Sequence, residues 1–407
     1  MECLKILLSA YACRPELGSE PGVGWNAALE VAKYHQVWVF TREDNRSSIE
    51  AYFQNNASPQ LNFIYYDLPG SKWWNKNLRL VYLHYYLWQV GVYFLAQKIH
   101  QKIDFDLVHH VTYVRYSSPS FLSLLPIPFV WGPVGGGESA PKTFWQDFSL
   151  YGKIYEFLRD LASRIGESDP FVWLTARKSL LIQATTVDTA KRIAKIGGTN
   201  IKIASQLGLS QTEIAQLAPA TKEDSSVKFI SVGRLLHWKG FHLGIHAFAL
   251  ANLPDDCEYW IVGDGVENYR LQMLAKKLKI AHKVKFWGSL SREETLKRLK
   301  KSQVLIHPSL HESGGLVCLE AMAAKMPVIC LDLGGPAIQV TEKTGFKISA
   351  DTSEQAVKNI ARAMTCLVED SQLRFSMGRA ARERVKKHYS WANKGKQLAQ
   401  LYQEIVN

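Results

Sequence analysis

No apolar run of bilayer length interrupts this chain. Its most lipid-like stretch, residues 80–97, is broken by His84, Gln89 and four tyrosines and falls short of the roughly 20 apolar residues that a spanning helix needs. Cysteine is sparse. The six residues Cys3, Cys13, Cys257, Cys318, Cys330 and Cys366 are scattered, which excludes a clustered thiolate metal centre or a dithiol redox pair. With no secretory start, this points to a reduced, cytoplasmic setting. The opening residues MECLKILLSAYAC place Lys5 ahead of most of a short apolar run, with a Gly/Pro loop after it, and so read as a first strand and not a signal peptide. Repeats and low-complexity tracts are absent. So are a basic recognition helix and an RNA-binding signature, and nucleic acid is therefore not an expected partner. The net charge of +12 suits a phosphorylated substrate or an anionic lipid surface instead. A complete dinucleotide fingerprint is missing too, which argues against a dehydrogenase.

What is present is a chain of 407 residues, 47% hydrophobic and 21% charged, which is the composition of a packed globular body long enough for two domains. Strand-like runs alternate with helix-length amphipathic runs throughout. They are LKILLSAY, QVWVFT, LNFIYYD, DLVHHV and FVWG, then KFISVG, EYWIVGDG, VKFWG, VLIHPS and PVICLD. That alternation predicts parallel sheets wrapped by crossover helices, an α/β architecture. The polar stretch 209–226 divides the two sets and reads as a linker between residues 1–208 and 227–386. In such sheets ligands bind beyond the carboxyl ends of the strands, and two doubly wound domains facing each other would make a cleft.

The chemistry-bearing residues follow predicted strands. In HPSLHESGGLVCLE, the Ser313-Gly314-Gly315 turn ahead of the apolar helix that begins at Leu316 brings backbone N–H groups to an anion at a helix N-terminus, where a diphosphate fits. Glu312 precedes that helix and Glu320 lies about two turns into it, so their carboxylates can accept hydroxyl hydrogen bonds at opposite ends of one ligand. The plainer alternative is a capped helix with a solvated Glu320. In SVGRLLHWKGF, Arg234 supplies a bidentate fork and Lys239 a mobile point charge, a pair matched to a diphosphate, though a solvated basic loop has the same composition. GSEPGVGW places Gly22 and Gly24 between strand one and a helix; a phosphate-approaching loop and tight helix–sheet packing both fit. The Gly135-Gly136-Gly137 run after FVWG predicts close approach of a ligand or a mobile loop, with Glu138 placed to meet an acceptor. His109 and His110 alternate across a strand, so one should be core and His110 is the candidate to face the acceptor. Asp104-Phe105-Asp106 has an acid-x-acid spacing, but it precedes its strand, which places it away from the cleft, and no metal site is expected. Residues 72–102 carry five Lys/Arg, no Asp or Glu, and aromatics including Trp73, Trp74, Tyr85 and Trp88. This suits a helix on an anionic membrane, as it also suits a helix packed on a sheet.

Taken together these residues resemble the retaining glycosyltransferases of family 4, which have the GT-B fold of two Rossmann-like domains. The resemblance runs over nearly the whole chain and is strongest over 227–335, where the Glu-x7-Glu motif from Glu312 to Glu320 runs into EAMA and PVI. It implies an N-terminal acceptor domain and a C-terminal nucleotide-sugar domain. It assigns sugar hydroxyls to Glu312, ribose to Glu320 and the diphosphate to Arg234 and Lys239, with Gly22 and Gly24 closing over the phosphates. Gly263, Gly265 and Trp287 become walls of the nucleotide pocket, Ser313, Gly314, Gly315 and Leu316 the phosphate cradle, and 387–407 the terminal helix crossing back to the N-domain. Two departures stand out: Gly135–Gly137 and Glu138 replace a histidine near the reacting sugar, and Ser313-Gly314 replaces an aromatic after Glu312. The expected reaction is transfer from a nucleoside diphosphate sugar to a glycan or lipid hydroxyl with retention, Glu312, Arg234 and Lys239 being the candidate catalytic residues, without metal or other cofactor. The location would be cytoplasmic or peripheral at the membrane. An epimerase or phosphorylase of the same fold, or a non-catalytic nucleotide- or polysaccharide-binding protein, is the alternative.

Overall fold

A computed structural model of the chain describes residues 2–15, 17–70, 80–218 and 226–407. Among them, thirteen strands form two parallel sheets. The first contains β1 (Lys5–Ala10), β2 (Gln36–Thr41), β3 (Leu61–Tyr65), β4 (Leu107–Thr112), β5 (Phe129–Val134), β6 (Leu181–Ala184) and β7 (Ile201–Ile203). Their order is β3-β2-β1-β4-β5-β6-β7. The second contains β8 (Lys228–Val232), β9 (Glu258–Val262), β10 (Val284–Phe286), β11 (Val304–His307), β12 (Val328–Leu331) and β13 (Gly345–Ile348), in the order β10-β9-β8-β11-β12-β13. Central strands such as β4 and β11 are buried at every residue, because helices cover both faces. The expected α/β class with two doubly wound sheets is what the chain adopts. The strands that sequence patterning missed are β6, β7 and β13. All are short, and β7 and β13 are sheet edges with exposed positions, where one or two apolar residues make no readable period.

The chain divides into two compact units. One comprises Met1–Gly137, Leu161–Gly208 and Trp391–Asn407; the other comprises Glu138–Asp160 and Leu209–Ser390. Two stretches therefore differ from the sequence boundaries. Glu138–Asp160 joins the second unit because Phe144 and Phe148 are buried in the same core as Phe229 and Phe241. The stretch read as a linker is structured up to Ala218: Leu209 bridges to Ser390, and Ser210 closes a capping box with Glu213 on the helix Gln211–Gln216. The rest of that stretch, 219–225, lies outside the described residues. The helix Trp391–Val406 packs on the helix Ser19–Val31 of the first unit, so closely that a Cβ at Gly395 would meet Glu30 Cβ at 2.4 Å.

In each sheet the winding reverses once, between β1 and β4 and between β8 and β11. Crossovers leave in opposite directions at these points, so the loops beyond the strand ends part and leave room for a ligand.

Candidate active site

At the β8/β11 reversal, the loop after β8 carries Arg234 and Lys239 and the loop after β11 carries Glu312. Arg234 is exposed, and its side chain has no hydrogen-bonding or ionic partner among the described residues. Lys239 Nζ donates to Glu312 Oε2, with the two side chains 17% and 22% exposed, so the pair is held by protein yet open on one side. Burial works to raise the Glu312 carboxyl, but the Lys239 ammonium holds it below the ordinary range. His307, at the end of β11, lies 4.0 Å from Glu312 Oε2; burial lowers its pKa to about 4, so it is neutral at physiological pH.

Gly315, with φ of 86°, caps the helix Leu316–Ala323 and turns the Ser313–Gly314 backbone into it. This loop is seated on Gly334 and Gly335: the Gly335 N–H donates to Glu312 O at 2.8 Å, and a Cβ at Gly335 would meet Ser313 O at 2.4 Å. Glu138 joins here. It does not lie in an open glycine loop facing an acceptor; it is buried and accepts the Ser313 hydroxyl at 2.5 Å. Glu320 is also buried. Burial raises its carboxyl, opposed by Arg292, whose Nη1 sits 2.6 Å from Oε1 while Nη2 reaches Glu213 at 3.0 Å. The carboxylate assigned to ribose thus already holds a guanidinium.

Other candidates are placed for packing. Gly22 and Gly24 belong to the first turns of the helix Ser19–Val31 and not to a loop, and a Cβ at Gly24 would meet Ala12 O at 2.3 Å. Gly263 and Gly265 allow the loop after β9 to press on the loop after β8, where added Cβ atoms would strike Gly233 O and Leu235 O. The Trp287 ring packs against Trp260, 5.5 Å away, with the Arg298 guanidinium 3.6 Å from its centroid. His110 is not open to an acceptor. It is buried beside Tyr85 hydroxyl at 3.0 Å and Thr112 O at 3.1 Å, and burial takes its pKa to about 3. His109 is buried as well, against Tyr402 and Gly132. Both are enclosed because helices cover both faces of β4. Asp106 accepts the Lys5 N–H at 2.7 Å, at the entrance to its strand. Of the basic aromatic segment, 72–79 lies outside the described residues. The remainder is the helix Val81–Ile103, which buries Tyr85, Trp88 and Val92 and exposes Tyr82, Leu83, Leu87 and Phe94. No helix among the described residues is long and apolar enough to cross a membrane.

Sequence reasoning passed over Glu156, His237, His311, His307 and Arg292. The histidines stand inside the motifs quoted for their neighbours. Glu156, 81 residues before His237, has no local signature at all.

Residues 214–384 match the family described as glycosyl transferases group 1. A D-inositol 3-phosphate glycosyltransferase of Corynebacterium urealyticum is 33% identical over 183 residues, 43% of this chain and 42% of that protein. A GDP-mannose-dependent monoacylated alpha-(1-6)-phosphatidylinositol monomannoside mannosyltransferase of Corynebacterium glutamicum is 29% identical over 48% of this chain and 55% of its own length. The chain thus spans about half the length of the curated relatives it matches. Among solved structures, a glycosyltransferase from Rickettsia africae superposes over 100% of both chains, with a TM-score of 0.64 and 17% identity. HepE of Anabaena, in complex with UDP and glucose, superposes over 98% of this chain and 100% of its own, with a TM-score of 0.61 and 19% identity. These likenesses are of fold.

Proposed function

With residues 214–384 belonging to the group 1 glycosyltransferases and the chain built on two parallel-sheet α/β domains of the GT-B type, we propose that the protein moves a sugar from a nucleoside diphosphate sugar to a hydroxyl acceptor, with retention at the anomeric carbon. The observation that carries this reading is the meeting of Arg234, Lys239, Glu312 and the N-terminus of the helix Leu316–Ala323 at one strand reversal. Cations and backbone N–H groups there match a diphosphate, and the Glu312 carboxylate matches sugar hydroxyls. On ligand binding Lys239 exchanges part of its contact with Glu312 for phosphate, and Arg292 yields Glu320 to the ribose.

A retaining double displacement needs two carboxyls about 5–5.5 Å apart across the bond. Glu312, tied to Lys239 and spent on hydroxyls, is not a nucleophile in this scheme. Attack instead comes from the face that the leaving group departs. The bond from C1 to the diphosphate oxygen breaks, the bond from C1 to the acceptor oxygen forms on the same side, and the acceptor proton passes to the departing diphosphate. Arg234, Lys239 and the helix N-terminus stabilise the charge that develops there. The positive charge comes from the chain itself, so no metal is invoked; unchanged turnover in a chelator supports this, and loss restored by a divalent ion defeats it.

The acceptor is proposed to be a lipid-linked sugar, glycolipid or surface polysaccharide. Relatives named for inositol phosphate and phosphatidylinositol mannoside support that class, as does the exposed face of the helix Val81–Ile103 with Lys98 and Lys102 near its end. Flotation with anionic vesicles tests it: protein left in the soluble fraction removes membrane docking from the proposal. The donor is tested by thermal shift with UDP-, GDP- and ADP-sugars, and absence of any shift overturns the functional reading.

A further inference from the structure

Glu156 lies on the helix Leu150–Glu167, within the part of it that belongs to the second unit. Its carboxylate is buried, and a single oxygen, Oε1, lies 3.0 Å from His237 Nε2 and 3.1 Å from His311 Nε2. Both imidazoles must carry their proton on Nε2 to donate to it. Burial alone would raise this carboxyl, but the two imidazole donors and Arg159, 3.7 Å from Oε2, outweigh burial and bring its pKa to about 2, so it is ionised.

The surroundings leave the two rings little freedom. Tyr155 stacks on Trp238 at 4.9 Å and 11°, and Trp238 stacks on His311 at 5.2 Å and 16°. Phe148 meets His237 edge-on at 4.8 Å. Gly152, one turn before Glu156, lets the helix approach; a Cβ there would stand 3.0 Å from His237 Cγ. His237 falls between Arg234 and Lys239 in sequence, and His311 immediately precedes Glu312.

We propose that Glu156 is a positioning residue for nucleoside diphosphate binding: through His237 and His311 it locks the loop of Arg234 and Lys239 to the loop of Glu312. The proposal rests on the glycosyltransferase reading. Groups that must address one diphosphate and one sugar together are sensitive to small displacements, a misplacement of about 1 Å being worth on the order of 100-fold in rate.

The test is calorimetric titration of the full chain with UDP, GDP and ADP, for wild type, Glu156→Ala, Arg234→Ala and the double variant. Glu156→Ala is expected to weaken the preferred nucleotide at least about tenfold. The double variant is expected to lose less affinity than the two single losses combined, because residues acting through one network are not additive. A residue that merely supports the fold would give additive losses, and additivity overturns the proposal. Should the alanine variant not fold, Glu156→Asp draws the carboxylate back by one methylene, out of reach of both rings; weakened binding supports the proposal and wild-type affinity overturns it. Wild-type protein that binds none of the three nucleotides defeats the glycosyltransferase reading and this proposal with it. Binding lost in Arg234→Ala but intact in Glu156→Ala defeats this proposal alone.

Discussion

Where the first sheet reverses, between β1 and β4, the side chains beyond the strand ends are mostly aromatic. Tyr11 packs against Tyr85, Trp88 and Tyr113 at 4.7–5.2 Å between centroids, and its hydroxyl reaches His84 Nδ1 at 2.7 Å while His84 Nε2 reaches Asp67 at 2.8 Å. Where the second sheet reverses, between β8 and β11, the same topology presents Arg234, Lys239, Glu312 and the Glu156 clamp. One reversal is lined by packed rings and the Tyr11–His84–Asp67 hydrogen bonds; the other keeps an exposed guanidinium and a partly open ion pair. Identical winding makes room at both places, but only the side chains decide whether that room suits an anion.

The sharpest way to break this contrast is at the charged reversal. Arg234→Ala or Glu312→Ala should cut turnover about tenfold or more, since each removes charge or hydroxyl contacts aimed at the reacting group; near-normal rates in both variants would erase the distinction between the two sites. In the first unit, Gly24→Ala should act on folding, costing about 1–3 kcal/mol through overpacking against Ala12 O. Denaturant melts would register that loss while nucleotide affinity stays at the wild-type value, whereas a selective loss of affinity would restore Gly24 to the phosphate site.

Acid should weaken both units, for related reasons. Burial takes His109 in the first and His307 in the second from the ordinary 6.5 to about 4. Between those values the unfolded chain binds more protons, so the stability from keeping them neutral is complete above pH 6.5 and is lost as pH falls toward 4. Glu156 adds a lower window in the second unit: its folded pKa of about 2 lies below the ordinary 4.5, so its contribution is whole above pH 4.5 and disappears on the way to 2. Melting temperatures followed from pH 7 to 3 check both, and a flat profile contradicts them. The smallest effect is expected at Trp287→Phe. Its ring is occupied by Trp260 and Arg298, so nucleotide affinity should change by no more than about 0.5 kcal/mol, and a large loss would return Trp287 to the nucleotide pocket.

The α/β class, ten of the strands and the loops that hold Arg234, Lys239 and Glu312 were legible in the amino-acid order. Buried parallel strands are continuous apolar runs, and the polar residues that interrupt them fall at strand ends. Local pattern failed at Glu138, assigned to an acceptor loop, because its partner Ser313 is 175 residues away. It failed at His110 because alternation along a strand says which residues share a face, not whether a helix covers that face.

By itself, then, the order of residues determined periodicity, strand ends and the presence of a Glu-x7-Glu helix start, all of which depend on neighbours a few positions apart. Only the tertiary structure decided that Lys239 meets Glu312, that Arg292 occupies Glu320, that Gly24 serves packing and that Glu156 gathers two histidines. Those are contacts between segments far apart in the chain, and they form because parallel strands must return through long crossovers before their loops can meet at one edge of a sheet.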